Sequence, residues 1–189
     1  MKKRLILGVS GASGAPLALR AMKIIADLPD VECHLVVSRG AEMTIPQECG
    51  ICVEAFQSYA DRVYQQDNIG ASIASGSYET IGMLILPCSM KTLAGIRMGY
   101  SDSLLLRAAD VVLKEQRTLV LGVRESPLSK VHLDNMAYLA GLSRVYLMPL
   151  VLSYYHSSNT LEDMEMQLVA RMLWKFGLEV GVEPWDPKN

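Results

Sequence analysis

The sequence has no block of like charge. Its 189 residues carry 18 Lys and Arg against 20 Asp and Glu, for a formal net charge of −2 and no basic tail. The electrostatic footprint of a nucleic-acid binder is therefore missing. Also lacking is an apolar run long enough to cross a bilayer. The run from Val145 to Leu152 is short and contains Pro149, and the start Met1-Lys2-Lys3-Arg4 leads into an apolar stretch that already stops at Gly8, too early for a signal peptide. A soluble, cytoplasmic protein with no membrane partner is expected. Cysteine is scarce as well: only Cys33, Cys49, Cys52 and Cys88 occur. Cys49-Gly50-Ile51-Cys52 has the C-x-x-C spacing, but a zinc site needs a second ligand pair and a redox dithiol needs a strand leading into a helix start, so free thiols are expected. No repeat or linker divides the chain. One domain over residues 1–189 is expected, large enough to bury about 70% of the surface its unfolded form exposes.

What is present is a run of small residues, Gly8-Val9-Ser10-Gly11-Ala12-Ser13-Gly14-Ala15-Pro16, directly after the apolar Leu5-Ile6-Leu7. Small residues between a strand and a helix start let backbone N–H groups approach an anion, with the positive end of the helix behind them. The glycines do not match G-x-G-x-x-G and the Walker lysine is absent, so a phosphate seat competes here with a plain tight turn. Pro16 suits a first helical turn, and Leu17, Ala21, Met22, Ile25 and Leu28 then share one face, opposite Arg20, Lys23 and Asp27.

Further along, Val31 to Val37 reads as a second strand, with His34 pointing outward or partly buried and Ser38 just past its end. Arg39 to Ile45 predicts a short helix that Pro46 stops or kinks, leaving Glu48 on an irregular segment. Val53 to Ala60 is a short helical stretch, and Asp67 to Tyr78 has no strong periodicity. Met83 to Leu86 is the continuous apolar run of a strand covered on both faces. It leads into Pro87-Cys88-Ser89-Met90-Lys91-Thr92, a second candidate site for an anion or a ring edge. In the helix that follows, Leu104, Ala108, Val111, Val112 and Glu115 share a side, Arg107 and Asp110 form an intrahelical pair, and Lys114 near the end is by spacing a solvated partner of the helix dipole.

Thr118 to Val123 is another buried strand, followed at once by Arg124-Glu125, where open α/β sheets place ligands. Leu128 to Leu142 reads as a helix with Leu133, Met136, Ala137 and Ala140 inward and His132 structural. Val145 to Met148 is the last strand, and Tyr154-Tyr155-His156 lies in the loop after it. Thr160 with Asp163 marks the start of a final helix whose face is Leu161, Met164, Leu168, Met172 and Phe176, with Gly177 as its end. On that helix Arg171 is unremarkable by spacing. Trp185 is expected to pin the tail. Strands alternating with helices imply an α/β fold built on a parallel sheet. The apolar half of the composition hints at surfaces buried between subunits.

Four segments together resemble the UbiX-type flavin prenyltransferases, also known as small subunits of phenolic-acid decarboxylases. They are Gly11-Ala12-Ser13-Gly14-Ala15; Ser75-Gly76-Ser77 with Leu86-Pro87-Cys88-Ser89-Met90-Lys91-Thr92-Leu93-Ala94; Arg107-Ala108-Ala109-Asp110-Val111-Val112-Leu113-Lys114-Glu115; and Arg124-Glu125-Ser126-Pro127-Leu128-Ser129 with His132-Leu133-Asp134-Asn135-Met136.

The resemblance implies a Rossmann-like or flavodoxin-like three-layer sandwich assembled as a homo-oligomer, commonly a dodecamer. It implies transfer of a dimethylallyl group from dimethylallyl phosphate to N5 and C6 of reduced FMN, without a metal, and delivery of the product to a partner aromatic-acid decarboxylase. By the same resemblance Gly11, Ala12, Ser13, Ser38, Ser89, Met90, Lys91, Thr92 and Arg124 match cofactor-binding positions, with the FMN phosphate expected at the Gly11–Ala15 loop. Lys114, Tyr155 and Arg171 match positions that hold the prenyl phosphate, and Glu48, Glu125 and Ser13 match catalytic ones. Two other readings are a flavin-dependent oxidative decarboxylase and a non-catalytic flavin-binding subunit of a decarboxylase complex.

Overall fold

The computed structural model describes residues 2–154 and 160–182. Tyr155, His156 and Trp185 lie outside them. Six strands form one parallel sheet: β1 (Lys3–Val9), β2 (Val31–Val37), β3 (Arg62–Tyr64), β4 (Gly82–Cys88), β5 (Thr118–Val123) and β6 (Val145–Leu147). Their order is β3-β2-β1-β4-β5-β6. The chain winds outward from β1 in one direction and from β4 in the other, so the strand order reverses between them and leaves a crevice at their carboxyl ends.

Among the described residues seven α-helices complete the fold: α1 (Ala15–Ala26), α2 (Arg39–Cys49), α3 (Val53–Gln57), α4 (Met90–Met98), α5 (Leu104–Lys114), α6 (Lys130–Ala140) and α7 (Leu161–Leu173). The period-2 alternation of the strands sorts their side chains into two cores. Leu5, Leu7 and Val9 of β1 join Cys33, Leu35 and Val37 of β2 under α1, α2, α3 and α7. Ile6 and Val36 point the other way, to the core beneath α4, α5 and α6. All seven residues of β4 are buried, as a central strand covered on both faces requires. No helix among the described residues is long and apolar enough to cross a membrane.

Several expectations need correction. Helix α2 does not stop at Pro46 but runs through it to Cys49, closing on Gly50 at φ 67°, whose N–H bonds the Pro46 carbonyl. The proline lacks only a donor for the turn before it, and Glu48 is thereby helical. Strand β3 was not anticipated, because three half-exposed edge residues carry no periodicity. His34 is fully buried: β2 lies between two layers, with the Tyr64 hydroxyl 2.8 Å from Nδ1 and the Glu32 carboxylate 3.6 Å from Nε2. The inward face of α6 is Leu139 with Met136, followed by Leu142 just past the helix end, while Leu133, Ala137 and Ala140 are exposed in the single chain. Glu115 and Leu161 are likewise exposed. The Arg107–Asp110 pair forms at 2.7 Å. His132 is structural, its Nδ1 accepting the Ser129 N–H in a capping box.

Candidate active site

The carboxyl ends of the strands are stitched together by a chain of hydrogen bonds. The Ser38 N–H donates to Val9 O at 2.9 Å, the Arg124 N–H to Cys88 O at 3.1 Å and the Leu150 N–H to Val123 O at 3.1 Å. Between β1 and β4 the link is Ser10. Its Oγ donates to Pro87 O at 2.8 Å and accepts the Ser89 N–H at 2.7 Å. Ser10 is buried, and its hydroxyl extends the β1–β4 pairing past the strand ends, beside the bond from its own N–H to Pro87 O at 3.2 Å. Sequence reasoning passed over it, since a serine inside a small-residue run carries no signal of its own.

Across the rim from Ser10, Gly11 and Gly40 meet backbone to backbone. A Cβ on Gly11 would lie 2.7 Å from Gly40 Cα, so only glycine lets the β1 loop lie against the first turn of α2.

The start of α1 is already occupied by an anion from the chain itself. Glu48 Oε2 accepts the Gly14 N–H and the Ala15 N–H, each at 2.8 Å, and the nearby Ser13 side chain also favours the ionised carboxylate. Partial burial pushes the Glu48 carboxyl up, but these hydrogen bonds and the nearby Arg124 charge outweigh it and hold the group below the usual carboxylate range. At the expected phosphate seat, Gly11–Ala15, the Gly14 and Ala15 donors serve Glu48. What the loop does bring together is Ser13, Glu48 and Arg124, with Pro87 and Leu150 packed beside Gly14. Glu125 is exposed next to this group, its carboxylate accepting the Ser126 N–H at 3.0 Å.

A second anion site is built nearby. A cavity of about 320 Å³ is lined by Ser38, Arg39, Gly40, Lys91, Thr92 and Ser103, among others. These residues sit at the first turns of α2, α4 and α5, capped by Ser38, Ser89 and Ser103. Three helix starts thus face one space beside Lys91, which favours an anion, while Asp67, paired with Arg39 at 2.8 Å, and Asp102 also line it. Ser89 also donates to Thr92 Oγ1 at 3.1 Å, and Met90 is buried behind the loop. Ser103 was not singled out from the sequence, although a serine directly before Leu104-Leu105-Leu106 is a legible N-cap.

Of the three expected holders of a prenyl phosphate, the two that are described, Lys114 and Arg171, lie on helices over opposite faces of the sheet. Arg171 of α7 lines a largely apolar cavity of about 550 Å³ with Leu147, Met148, Leu152, Tyr154 and Leu168. Lys114 ends α5, over the opposite face of the sheet, four residues before β5 begins and so at the amino-terminal edge. Tyr155 falls outside the described residues. Cys33, Cys49, Cys52 and Cys88 are free thiols; burial pushes Cys33 up to about 12 and also raises Cys49 and Cys88, so these three are inert packing groups.

The chain matches the Flavoprotein family over residues 1–167. It is 48% identical over 176 residues, 93% of either chain, to the flavin prenyltransferase UbiX of Escherichia coli K12. It superposes at a TM-score of 0.93 and 44% identity on a dodecameric FMN-dependent UbiX-like decarboxylase from Escherichia coli O157:H7, over 97% of this chain and 99% of that one. Against AnUbiX (PadA1), whose structure contains FMN and dimethylallyl pyrophosphate, the TM-score is 0.95 at 39% identity over the whole of both chains.

Proposed function

The chain belongs to the UbiX-type flavin prenyltransferases, and from that premise we propose how its residues divide the work of moving a dimethylallyl group onto FMN. The enzyme is a transferase with a flavodoxin-like fold that binds FMN. The observation that carries the assignment of parts is the convergence of three helix starts and Lys91 on one cavity, adjoining a crevice that holds Ser13, Glu48 and Arg124. Ser38, Ser89, Lys91 and Thr92, joined by Ser103, take the FMN phosphate. Gly11, Ala12, Ser13 and Arg124 line the path of the ring system over the crevice, with Met90 as its apolar support.

Bound reduced FMN supplies the electron-rich N5 and C6 atoms that accept the prenyl carbons. Leaving of the prenyl phosphate needs cations aimed at it in a water-poor space. Arg171, Tyr155 and Lys114 supply that clamp, without a metal, and the apolar walls below Arg171 exclude water. Glu48 is held ionised chiefly by the start of α1, with Ser13 and Arg124 nearby, which suits it to accept a proton, and Glu125, next in sequence to Arg124, shares that task. Because α5 and α7 cover opposite faces, Lys114 joins Arg171 only when a second copy brings it, so the working unit is a homo-oligomer, a dodecamer by likeness to the relative above. Free thiols suit the reducing cytoplasm, and the product passes to an aromatic-acid decarboxylase.

The test is anaerobic incubation with reduced FMN and dimethylallyl mono- or diphosphate, followed by mass analysis of the flavin. A dimethylallyl adduct is expected. Its absence with both donors would sink the reading in favour of a flavin-binding subunit without catalysis.

A further inference from the structure

Lys114 sits in a built environment that the reaction as described does not explain. Its ammonium pairs with the Glu115 carboxylate. Three residues past Lys114, Arg117 spreads its guanidinium over one short segment: Nη1 donates to Tyr78 O at 2.9 Å and weakly to Thr80 Oγ1 at 3.4 Å, and Nη2 donates to Gly76 O at 2.6 Å. A planar fork with several acceptors fixes the backbone it binds. That backbone in turn runs close to the lysine. A Cβ on Gly76 would meet the Glu115 carboxylate and lie 2.7 Å from Lys114 Nζ.

We propose that Arg117, acting through the 76–80 segment, is a positioning residue that fixes where the Lys114 ammonium meets the prenyl phosphate, an inference that rests on the clamp described above. A lysine at a helix end is otherwise a point charge on a flexible stem, and ordering that stem on binding costs affinity. Here Glu115 holds the ammonium from one side and Gly76 closes the other, so the ordering is done before the donor arrives. An exposed pair of neighbours contributes little to folding. The arrangement therefore gains through geometry rather than stability.

Two variants separate the parts. In Gly76→Ala the added methyl meets the ends of two flexible side chains, so the fold accommodates it while the ammonium is displaced. Arg117→Lys keeps the charge and loses the fork. Binding of dimethylallyl phosphate to the assembled protein carrying oxidised FMN, followed by calorimetry, reads affinity without turnover. Both variants should weaken donor binding about tenfold, with FMN affinity and assembly as in the parent. In a Lys114→Ala background neither should add a further loss, a coupling that general destabilisation does not produce. If Lys114→Ala itself binds donor as the parent does, the clamp fails and the positioning role falls with it. If Lys114→Ala weakens binding but Gly76→Ala and Arg117→Lys do not, or if their losses add in full to that of Lys114→Ala, the positioning role is overturned and the clamp stands.

Discussion

Glu48, from the last turn of α2, accepts the Ala15 N–H at 2.8 Å, so a carboxylate on one helix is the anion at the start of another. Replacing it with alanine strips α1 of the side chain that caps it, since Gly14 at the N-cap offers none. The loss should be about 1–2 kcal/mol, or roughly 2–4 °C in Tm for each kcal/mol. The pH dependence has a definite sign. A carboxyl held below its usual range in the folded state contributes stability that is complete above the unfolded value, about 4.3, and is lost as pH falls through the folded one. The stability gap between the parent and Glu48→Gln should therefore be full at pH 7 and close below about pH 4. Urea titrations across that range check it; a gap that widens in acid would show that Glu48 is not held ionised.

The proposed seat for the FMN phosphate makes a sharper prediction, because riboflavin lacks the group that the seat holds. Lys91→Ala removes one charge-assisted contact and should weaken FMN binding about ten- to a hundredfold. Riboflavin binding should change little. Fluorescence titrations with both flavins decide it. An equal loss for the two would move Lys91 away from the phosphate, to the ring or to a general role in folding.

Legibility tracked whether a feature is local. Strands β2 and β5 coincide with their apolar runs, and the Thr160–Asp163 capping box formed as its spacing demands, because neighbours in sequence settle both. Ser38 and Ser89 were legible as positions just past a strand end for the same reason, and both cap the helix that follows. Glu48 as the partner of Gly14 was not legible, since 34 residues separate them and only the packing of α1 on α2 closes the distance. The same holds for Ser10 and Pro87, bridged across the sheet. The face of α6 was misread because its apolar residues surround the helix. Periodicity then names no side, and Leu133 and Val131 remain exposed in the single chain.

His34 gives the protein a buried imidazole whose response to acid can be measured. Burial pushes its pKa down, Glu32 beside Nε2 pulls it up, and Arg62 and Arg4 push it down again, with a net shift below the ordinary value. Tyr64 and Tyr78 complete its surroundings as ring neighbours. The folded protein thus keeps the ring neutral while the unfolded chain takes up a proton near pH 6.5, so stability present above about pH 6.5 is lost progressively below it. His34→Gln should lower stability at pH 8 by about 1–3 kcal/mol through the disturbed Tyr64 contact. Its stability should nonetheless fall less between pH 7 and pH 5 than that of the parent. Parallel curves for the two proteins would mean that His34 titrates alike in both states.

The placement of Lys114 and Arg171 over opposite faces of the sheet leads to a test that needs no structure of the assembly. If each donor site takes Arg171 from one copy and Lys114 from another, then Lys114→Ala and Arg171→Ala are each deficient at every site of their own homo-oligomer. Losing one hydrogen bond to a charged group should reduce turnover roughly ten- to a hundredfold in either case. Dissociating the two variants, mixing them in equal amounts and reassembling them distributes the lesions independently between the two sides of each interface. About a quarter of the sites then receive both intact residues, and activity should return to about that fraction of the parent. The double variant Lys114→Ala/Arg171→Ala, reassembled with the parent, provides the control, since there an intact site also needs two parental sides. Were both residues used within one chain, mixing the single variants would restore nothing, and activity after reassembly would stay at the mean of the two deficient proteins.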